Sequence, residues 1–158
     1  MKSNLISKSE TSELLGTISR KWNRDMPKIK NVKVYEISDD AQIISSKEFK
    51  ILKIGDEYIP FLTEIKLLEK FPYVTVDMGA VKFMCNGANV MRPGIKEFSD
   101  FEEEEVVCVV EESQHKFLAV GKSLVSSEEL KTMEKGEVIK SMHYVSDKYW
   151  ETGKTLHD

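Results

Sequence analysis

The apolar residues of the N-terminal part of the chain recur at two spacings, and these spacings predict an alternation of helix and strands. Apolar residues at helical spacing predict a first helix over about residues 9–25: Leu14, Leu15, Ile18 and Trp22. Shorter apolar runs predict strands over residues 32–37, 41–45, 49–54 and 58–62. A short helix that begins near Ile65 and ends near Pro72 completes a small α+β unit.

A second pattern of apolar residues begins near Tyr73. Runs of apolar residues predict strands over residues 73–76, 106–110, 117–121 and 138–145. The apolar positions from Ala80 to Cys85 predict a helix between the first two of these strands, and Asp77 is suited to be its N-cap. We expect the segment that follows Trp150 to fray.

Glycines, proline and a serine mark the turns and ends in this second half. Gly87 is suited to the left-handed position that ends a helix. Residues 92–94 predict a turn, in which Pro93 presets φ and Gly94 accepts a positive φ. Ser126 is at capping-box spacing from Glu129, which predicts a short helix that Gly136 stops.

Composition excludes several classes of protein. The chain has 158 residues, enough for one ordinary domain or two small ones. No apolar stretch approaches the roughly 18 residues of a membrane span, and no secretory signal is expected at the start. Two cysteines cannot form a disulfide scaffold or a four-ligand zinc site. We therefore expect an intracellular, cytoplasmic protein with no membrane association.

Charge is distributed unevenly along the chain. The net charge is -4, which argues weakly against indiscriminate binding of nucleic acid. Residues 1–33 nevertheless hold 8 Lys and Arg against 3 Asp and Glu, including a cluster of six: Arg20, Lys21, Arg24, Lys28, Lys30 and Lys33. This cluster could contact phosphates, although a solvated helix face is the more common explanation. The acidic run at residues 102–105 would repel RNA, so any RNA surface should lie elsewhere.

Catalytic motifs are missing from the sequence. It contains no His-x-x-x-His, no Cys-x-x-Cys and no Gly-x-Ser-x-Gly. Gly121-Lys122-Ser123 lacks the upstream glycine of a phosphate loop. We therefore predict that the protein is not an enzyme and that it uses no metal and no organic cofactor.

Two groups of segments resemble known families. Residues 77–83 and 87–95 resemble the opening of a PUA domain, a mixed-strand pseudo-barrel that binds structured RNA. Residues 58–62, 67–72 and 143–150 are similar to the malignant T-cell amplified sequence family, which also includes the N-terminal half of ligatin. These proteins join a pre-PUA domain to a PUA domain. The resemblance implies an α+β fold, with a pre-PUA domain at 1–71, a PUA domain at 72–152 and a tail at 153–158.

The function that this resemblance implies is RNA binding in translation. The family binds the small ribosomal subunit, in initiation or recycling, together with a partner that carries an SUI1-type domain. The expected ligand is therefore structured RNA, either ribosomal or transfer RNA, and the compact chain resembles a stand-alone archaeal-type member. Two alternatives stay open: an accessory module for an RNA-modifying enzyme, and an adaptor whose N-terminal domain binds another protein.

RNA in PUA domains lies along the first helix, the loop after it and the last strand. By position, the residues implied at this site are Gly79, Ala80, Lys82, Asn86, Gly87, Asn89, Arg92, Gly94, Lys140, His143, Tyr144 and Lys148. Backbone amides at the glycines and at Ala80 could approach phosphates, which Lys82 and Arg92 could neutralise.

Other side chains could add contacts, and each has a structural alternative. Asn86 and Asn89 could donate hydrogen bonds to RNA, but Asn89 could instead hold the loop. Tyr144 could stack on a base or belong to the core. His143 is expected at the surface, where it could bond to a phosphate or hydroxyl. Both cysteines, Cys85 and Cys108, are expected to be core residues and Cys108 to be inert.

Overall fold

Two β-sheets organise the chain, and each is built from a separate part of the sequence. The computed structural model describes residues 1–156. The first sheet is antiparallel, with its strands in sequence order: β1 (Ser3–Leu5), β2 (Lys33–Ser38), β3 (Ala41–Ser45), β4 (Lys50–Ile54) and β5 (Glu57–Pro60). Helix α1 (Lys8–Trp22) connects β1 to β2. The chain leaves this sheet after Pro60 and enters the second sheet at Tyr73.

The second sheet is mixed and has six strands in the order β7-β11-β10-β9-β6-β8. These strands are β6 (Tyr73–Val76), β7 (Val90–Met91), β8 (Ile95–Phe98), β9 (Val106–Glu111), β10 (Phe117–Ser123) and β11 (Glu137–Tyr144). Strands β6 and β9 are parallel, and the other pairs are antiparallel. This arrangement, with short helices on both sheets, confirms the predicted α+β class.

Four short helices and two 3₁₀ turns complete the fold. The helices are α2 (Ile65–Leu68), α3 (Val81–Met84), α4 (Ser127–Leu130) and α5 (Lys148–Gly153). The 3₁₀ turns are Met78–Ala80 and Arg92–Gly94. Ser126 caps α4 as predicted, because its side chain accepts a hydrogen bond from the Glu129 amide.

Helix α1 begins slightly earlier than the sequence pattern indicated. Its N-cap is Ser7, whose Oγ accepts from the Glu10 amide at 3.0 Å, while the Glu10 carboxylate accepts from the Ser7 amide at 3.3 Å. This capping box satisfies two amides that the first turn leaves free. The apolar face of α1 buries Leu15, Ile18 and Trp22 in the main core.

One of the three hydrophobic clusters is shared by the two sheets. The largest cluster joins Trp22 and Ile59 from the first half of the chain to Cys108 and Val120 from the second sheet. Helix α5 adds to this contact, because Tyr149 packs in a cluster with Phe61. The N-terminal sheet is therefore packed against β9, β10 and α5.

The predicted fraying after Trp150 is wrong for the residues that the structure describes. Helix α5 continues to Gly153, and Leu156 packs against the cluster that contains Tyr35 and Tyr149. The helix forms because the Asp147 carboxylate caps it by accepting from the Trp150 amide at 2.7 Å. The remaining predicted tail residues, 157 and 158, lie outside the described residues.

Candidate functional site

Carboxylates accept hydrogen bonds from the backbone amides of the 3₁₀ turn Met78–Ala80, which precedes α3. Asp77 is the predicted N-cap, and its Oδ1 accepts from the Ala80 amide at 3.0 Å. The Met78 amide donates to Glu112 Oε2 at 2.9 Å. The expectation that the Ala80 amide binds a phosphate is therefore wrong, because two negative side chains already occupy this turn. Gly79 between them is exposed.

An apolar cleft lies between this turn, α3 and the segment around β7. Its volume is about 370 Å³, and four of the predicted site residues line it: Gly79, Ala80, Asn89 and Gly94. Phe83 and Met91 also line the cleft, and both are unusually exposed for their size, Phe83 at 55% and Met91 at 48%. We call this surface the apolar cleft. Exposed apolar groups that share one depression are typical of a binding site.

Phe83 was not among the predicted site residues, and helical spacing does not single it out, because it is three residues after Ala80. In the structure, Ala80, Val81 and Met84 pack in the second core cluster, whereas Phe83 is exposed. A large apolar side chain on the solvent side of a short helix cannot stabilise the core. Such a residue is therefore a candidate for contact with a ligand.

Lysines lie around the apolar cleft and along the last strand. Lys82 and Asn86 are exposed, and Lys82 Nζ lies 5.5 Å from the centroid of the Phe83 ring. Lys140 is exposed on β11, and Lys148 is exposed at the start of α5. Within residues 1–156, none of these three lysines forms an ion pair. Their charges are consequently free to meet an anionic ligand.

Arg92 does not belong to this group of free cations, which corrects the prediction that it forks across a phosphate. Its Nε donates to the carbonyls of Leu130 and Met133, both at 3.1 Å, and its Nη1 donates to the Ile95 carbonyl at 3.4 Å. The side chain is half-buried. Arg92 therefore ties the Arg92–Gly94 turn to the end of α4, where a cation also complements the helix dipole.

The turn that contains Arg92 differs from the prediction in its backbone as well. Gly94 does not have a positive φ; among the described glycines, positive φ occurs at Gly55, Gly87 and Gly136. The Gly94 carbonyl accepts from the Asp77 amide at 3.0 Å, so this glycine closes the apolar cleft against β6.

His143 is buried, which corrects the prediction that it lies at the surface and contacts RNA. Its exposed fraction is 0%. Its Nε2 accepts from the Leu62 amide at 3.1 Å, so the ring proton is on Nδ1, which donates to Asp147 Oδ2 at 2.8 Å. The ring also packs against Phe61, with 4.7 Å between the ring centroids. His143 joins the two halves of the protein, and no ligand can reach it.

Asp147 is the acidic partner of this buried histidine. Burial by itself would raise the pKa of the Asp147 carboxyl. Hydrogen bonds from His143 and from the amides of Trp150 and Tyr144 outweigh this effect and lower the pKa below its ordinary value. Asp147 is therefore held as a carboxylate that organises the end of β11 and the start of α5.

The loop after α3 is attached to the last strand. Gly87 has φ of +88°, as predicted for the residue that ends the helix, and a Cβ there would lie 2.9 Å from the Tyr144 ring. Asn89 Oδ1 accepts from the Ser141 amide at 2.9 Å, and its Nδ2 donates to Glu137 at 2.6 Å. Asn89 thus holds the loop, which was the structural alternative for this residue. Tyr144 is partly buried against Gly87 and does not form an open platform.

The remaining reactive side chains do not form a second site. Burial raises the pKa of the Cys108 thiol to about 12, with a small opposing effect from Arg24, so this cysteine is inert. Within residues 1–156, no group of His, Cys, Asp and Glu side chains could hold a metal ion. No helix in the same range is long and apolar enough to cross a membrane.

Comparison with known proteins identifies the family. Residues 72–145 match the family model described as PUA domain. The MJ1432 protein of Methanocaldococcus jannaschii is 44% identical to this chain over 130 residues, which cover 79% of this chain and 78% of that protein. A solved structure from Pyrococcus horikoshii, the hypothetical protein PH0734.1, superposes with a TM-score of 0.80 at 28% identity, and the match covers 96% of this chain and 99% of the other.

Two further relatives have names that refer to translation or to the resemblance described above. Translation machinery-associated protein 20 of Eremothecium gossypii is 31% identical over 134 residues, 79% of this chain and 74% of that protein. Malignant T-cell-amplified sequence 2 of Homo sapiens is 30% identical over 151 residues, 90% of this chain and 83% of that protein. The predicted resemblance is confirmed: the chain belongs to the family of PUA-domain proteins that includes translation machinery-associated protein 20 and the malignant T-cell-amplified sequence proteins.

Proposed function

We propose that this protein is an RNA-binding protein of the translation apparatus, which docks on structured RNA of the small ribosomal subunit through the apolar cleft of its PUA domain. The observation that carries the proposal is the exposed Phe83 ring at the rim of the apolar cleft, next to the free cation of Lys82. The name of the relative, translation machinery-associated protein 20, supports a role in translation.

The chemistry of this surface suits an unpaired nucleotide. Proteins recognise RNA mainly at loops, bulges and ends, where bases stack on aromatic side chains. Each stacked base contributes about 1–3 kcal/mol. Phe83 is 55% exposed, and Lys82, whose Nζ lies 5.5 Å from the centroid of the ring, is close enough to contact the phosphate of a base stacked on it. The apolar lining of the cleft can accept a base, whereas a bare phosphate needs donors that the cleft does not present.

The free lysines extend this surface beyond the apolar cleft. Lys140 on β11 and Lys148 on α5 are exposed, and Asn89 and Gly87 attach the loop after α3 to β11. An RNA strand that leaves the cleft along β11 would therefore pass unpaired cations. Binding in this mode is reversible docking, and it requires no catalytic group.

The test is crosslinking in cells with sequencing of the attached RNA. We compare the wild type with the double variant Lys82→Gln/Phe83→Ala. The matched control is Ile65→Ala/Lys66→Gln, which removes the same charge and a similarly exposed apolar side chain from α2. We expect small-subunit ribosomal RNA to dominate the attached sequences of the wild type and the control. We expect the yield to fall at least about fivefold in the cleft variant, since a lost stacking contact alone amounts to about 1–3 kcal/mol.

Other outcomes would identify the alternatives. Attached transfer RNA together with a modification enzyme, without ribosomal RNA, would indicate an accessory module. Crosslinking that is unaffected in the cleft variant would remove the apolar cleft from the site, and an absence of attached RNA would indicate a protein-binding adaptor. Sedimentation with the small ribosomal subunit at moderate salt checks the ribosomal part independently, because complete absence from those fractions contradicts it.

A further inference from the structure

The basic cluster of the first 33 residues separates into two groups in the structure. Three of its members have local contacts. Arg20 donates to Thr17 Oγ1 at 3.3 Å, and Lys21 donates to the Asp56 carbonyl at 3.0 Å. The Arg24 guanidinium lies 4.7 Å from the centroid of the Phe71 ring. The solvated or packed helix face is therefore the correct interpretation for this group.

The other three members line a groove on the N-terminal sheet, and one of them, Lys33, also has a local contact, because its Nζ lies 5.1 Å from the centroid of the Tyr35 ring. Lys28, Lys30 and Lys33 meet Lys47, which the turn between β3 and β4 contributes from a distant part of the sequence. The groove has a volume of about 520 Å³. Leu5 and Ile29 are the apolar residues of its lining, and we call it the N-terminal groove.

The N-terminal groove is strongly cationic. Its four lysines face a single acidic lining residue, Glu48, so its formal charge is +3 in a protein of net charge -4. Within residues 1–156, no ion pair neutralises Lys28, Lys30, Lys33 or Lys47. Unpaired lysines that converge on one depression repel one another, so an anionic ligand would lower the electrostatic energy of this region.

The walls of the N-terminal groove are held in place before any ligand arrives. Asn31 Nδ2 donates to the Ile6 carbonyl at 2.8 Å, which joins the segment with Lys28 and Lys30 to the end of β1. Ser46 Oγ accepts from the amides of Glu48 and Phe49 at 3.0 and 3.2 Å, which sets the turn that carries Lys47. A preformed groove binds with a smaller loss of conformational entropy.

We propose that the N-terminal groove binds the phosphate backbone of RNA, as a second contact that is separate from the apolar cleft. This inference rests on the proposed function, because it assumes that RNA is the ligand of the protein. Lysine is depleted at the cores of protein interfaces, where aromatic residues and arginine are enriched, and the lining contains neither. Contacts of lysine with phosphates, in contrast, position a protein on nucleic acid without reading its sequence.

The test measures the salt dependence of binding to fluorescently labelled oligouridylate, by anisotropy. The groove variant is Lys30→Gln/Lys47→Gln, which removes two exposed cations. The matched control is Lys116→Gln/Lys135→Gln, which removes two exposed lysines that do not line the groove. Each phosphate contact on a single strand contributes about 0.7 to the slope of log K against log salt. We therefore expect the slope of the groove variant to be smaller by about 1.4, and that of the control to be unchanged.

Three results would overturn this proposal. The first is an unchanged slope in the groove variant, and the second is a failure of the wild type to bind oligouridylate at low salt, because a phosphate contact needs no particular sequence. The third is displacement of the oligonucleotide by polyglutamate at equal charge concentration, which would indicate an acidic protein as the partner. Circular-dichroism melts of both variants show whether they are folded.

The same measurement separates this inference from the proposed function. If Lys82→Gln/Phe83→Ala weakens binding and the groove variant does not, RNA binding through the apolar cleft stands and the N-terminal groove is excluded. If only the groove variant weakens binding, the groove stands and the apolar cleft is excluded as the primary site.

Discussion

His143 is expected to contribute more to stability than any other polar side chain at the contact between the two sheets. Replacing it with Leu introduces an apolar side chain of similar size and removes both ring hydrogen bonds. The buried Leu62 amide then has no acceptor, which costs about 1–3 kcal/mol. The lost hydrogen bond to the Asp147 carboxylate adds about 1.5–3 kcal/mol.

We therefore expect His143→Leu to lower the free energy of unfolding by about 2.5–6 kcal/mol, a large part of the roughly 5–15 kcal/mol typical of a domain. A urea titration monitored by tryptophan fluorescence measures this free energy, since Trp22 and Trp150 belong to or pack against the cluster that the two sheets share. His143→Gln is the matched control, because its amide oxygen can reach the position of Nε2 and accept from Leu62. This variant should lose only the stabilisation that comes from the hydrogen bond to Asp147.

The reasoning would be refuted by a His143→Leu protein whose unfolding free energy lies within about 1 kcal/mol of the wild type, the size of an ordinary surface substitution. Equal losses in the Leu and Gln variants would contradict a contribution from the Leu62 amide. A normal RNA affinity in the folded fraction of His143→Leu is expected, because the ring is fully buried.

Three further predictions concern other residues of this region. The pKa of the Asp147 carboxyl is lower in the folded protein than in the unfolded chain, so the unfolded chain takes up this proton first as the pH falls. The free energy of unfolding should therefore decrease below the unfolded pKa of about 3.9. Asp147→Asn should flatten this decrease in an acid titration. In thermal melts, Gly87→Ala should destabilise the protein by at least about 1 kcal/mol more than Gly55→Ala does. Both glycines have positive φ, but a new Cβ contacts the Tyr144 ring only at Gly87. Arg92→Lys should lower the melting temperature, because an ammonium group cannot reach all three carbonyls, and an unchanged melt would contradict the structural role of Arg92.

Local sequence signals identified most of the elements because each depends on neighbouring residues. The N-caps at Asp77 and Ser126 and the left-handed Gly87 occur as predicted, since a cap or a positive φ is decided within a few residues. Strands β1, β7 and β8 were not predicted. They have three, two and four residues, too few to show a clear period, and they form by pairing with the edges of β2, β11 and β6.

The RNA-binding role of the candidate site stays a prediction, whereas the structure shows which of its residues lie together. Family resemblance indicated the helix, the loop and the last strand, and the structure brings Gly87 against Tyr144 and Asn89 against Ser141. The roles of individual side chains depended on partners distant in sequence. Arg92 donates to carbonyls about 40 positions away, and those contacts engage the guanidinium that the prediction assigned to a phosphate.

The sequence by itself determined most of the elements, their caps and the family, because these follow from local periodicity, from backbone preferences at single residues and from short motifs. Tertiary structure alone decided which polar groups are free. Pairing on β11 skips Met142 between Ser141 and His143, and the face with His143 is covered by Phe61 and Leu62 instead of water. Alternation along a strand distinguishes two faces, but it does not show whether solvent or a second sheet covers each one. The same reason explains why Lys47 joins Lys28 and Lys30 in one groove, since only folding brings the turn between β3 and β4 to the end of β1.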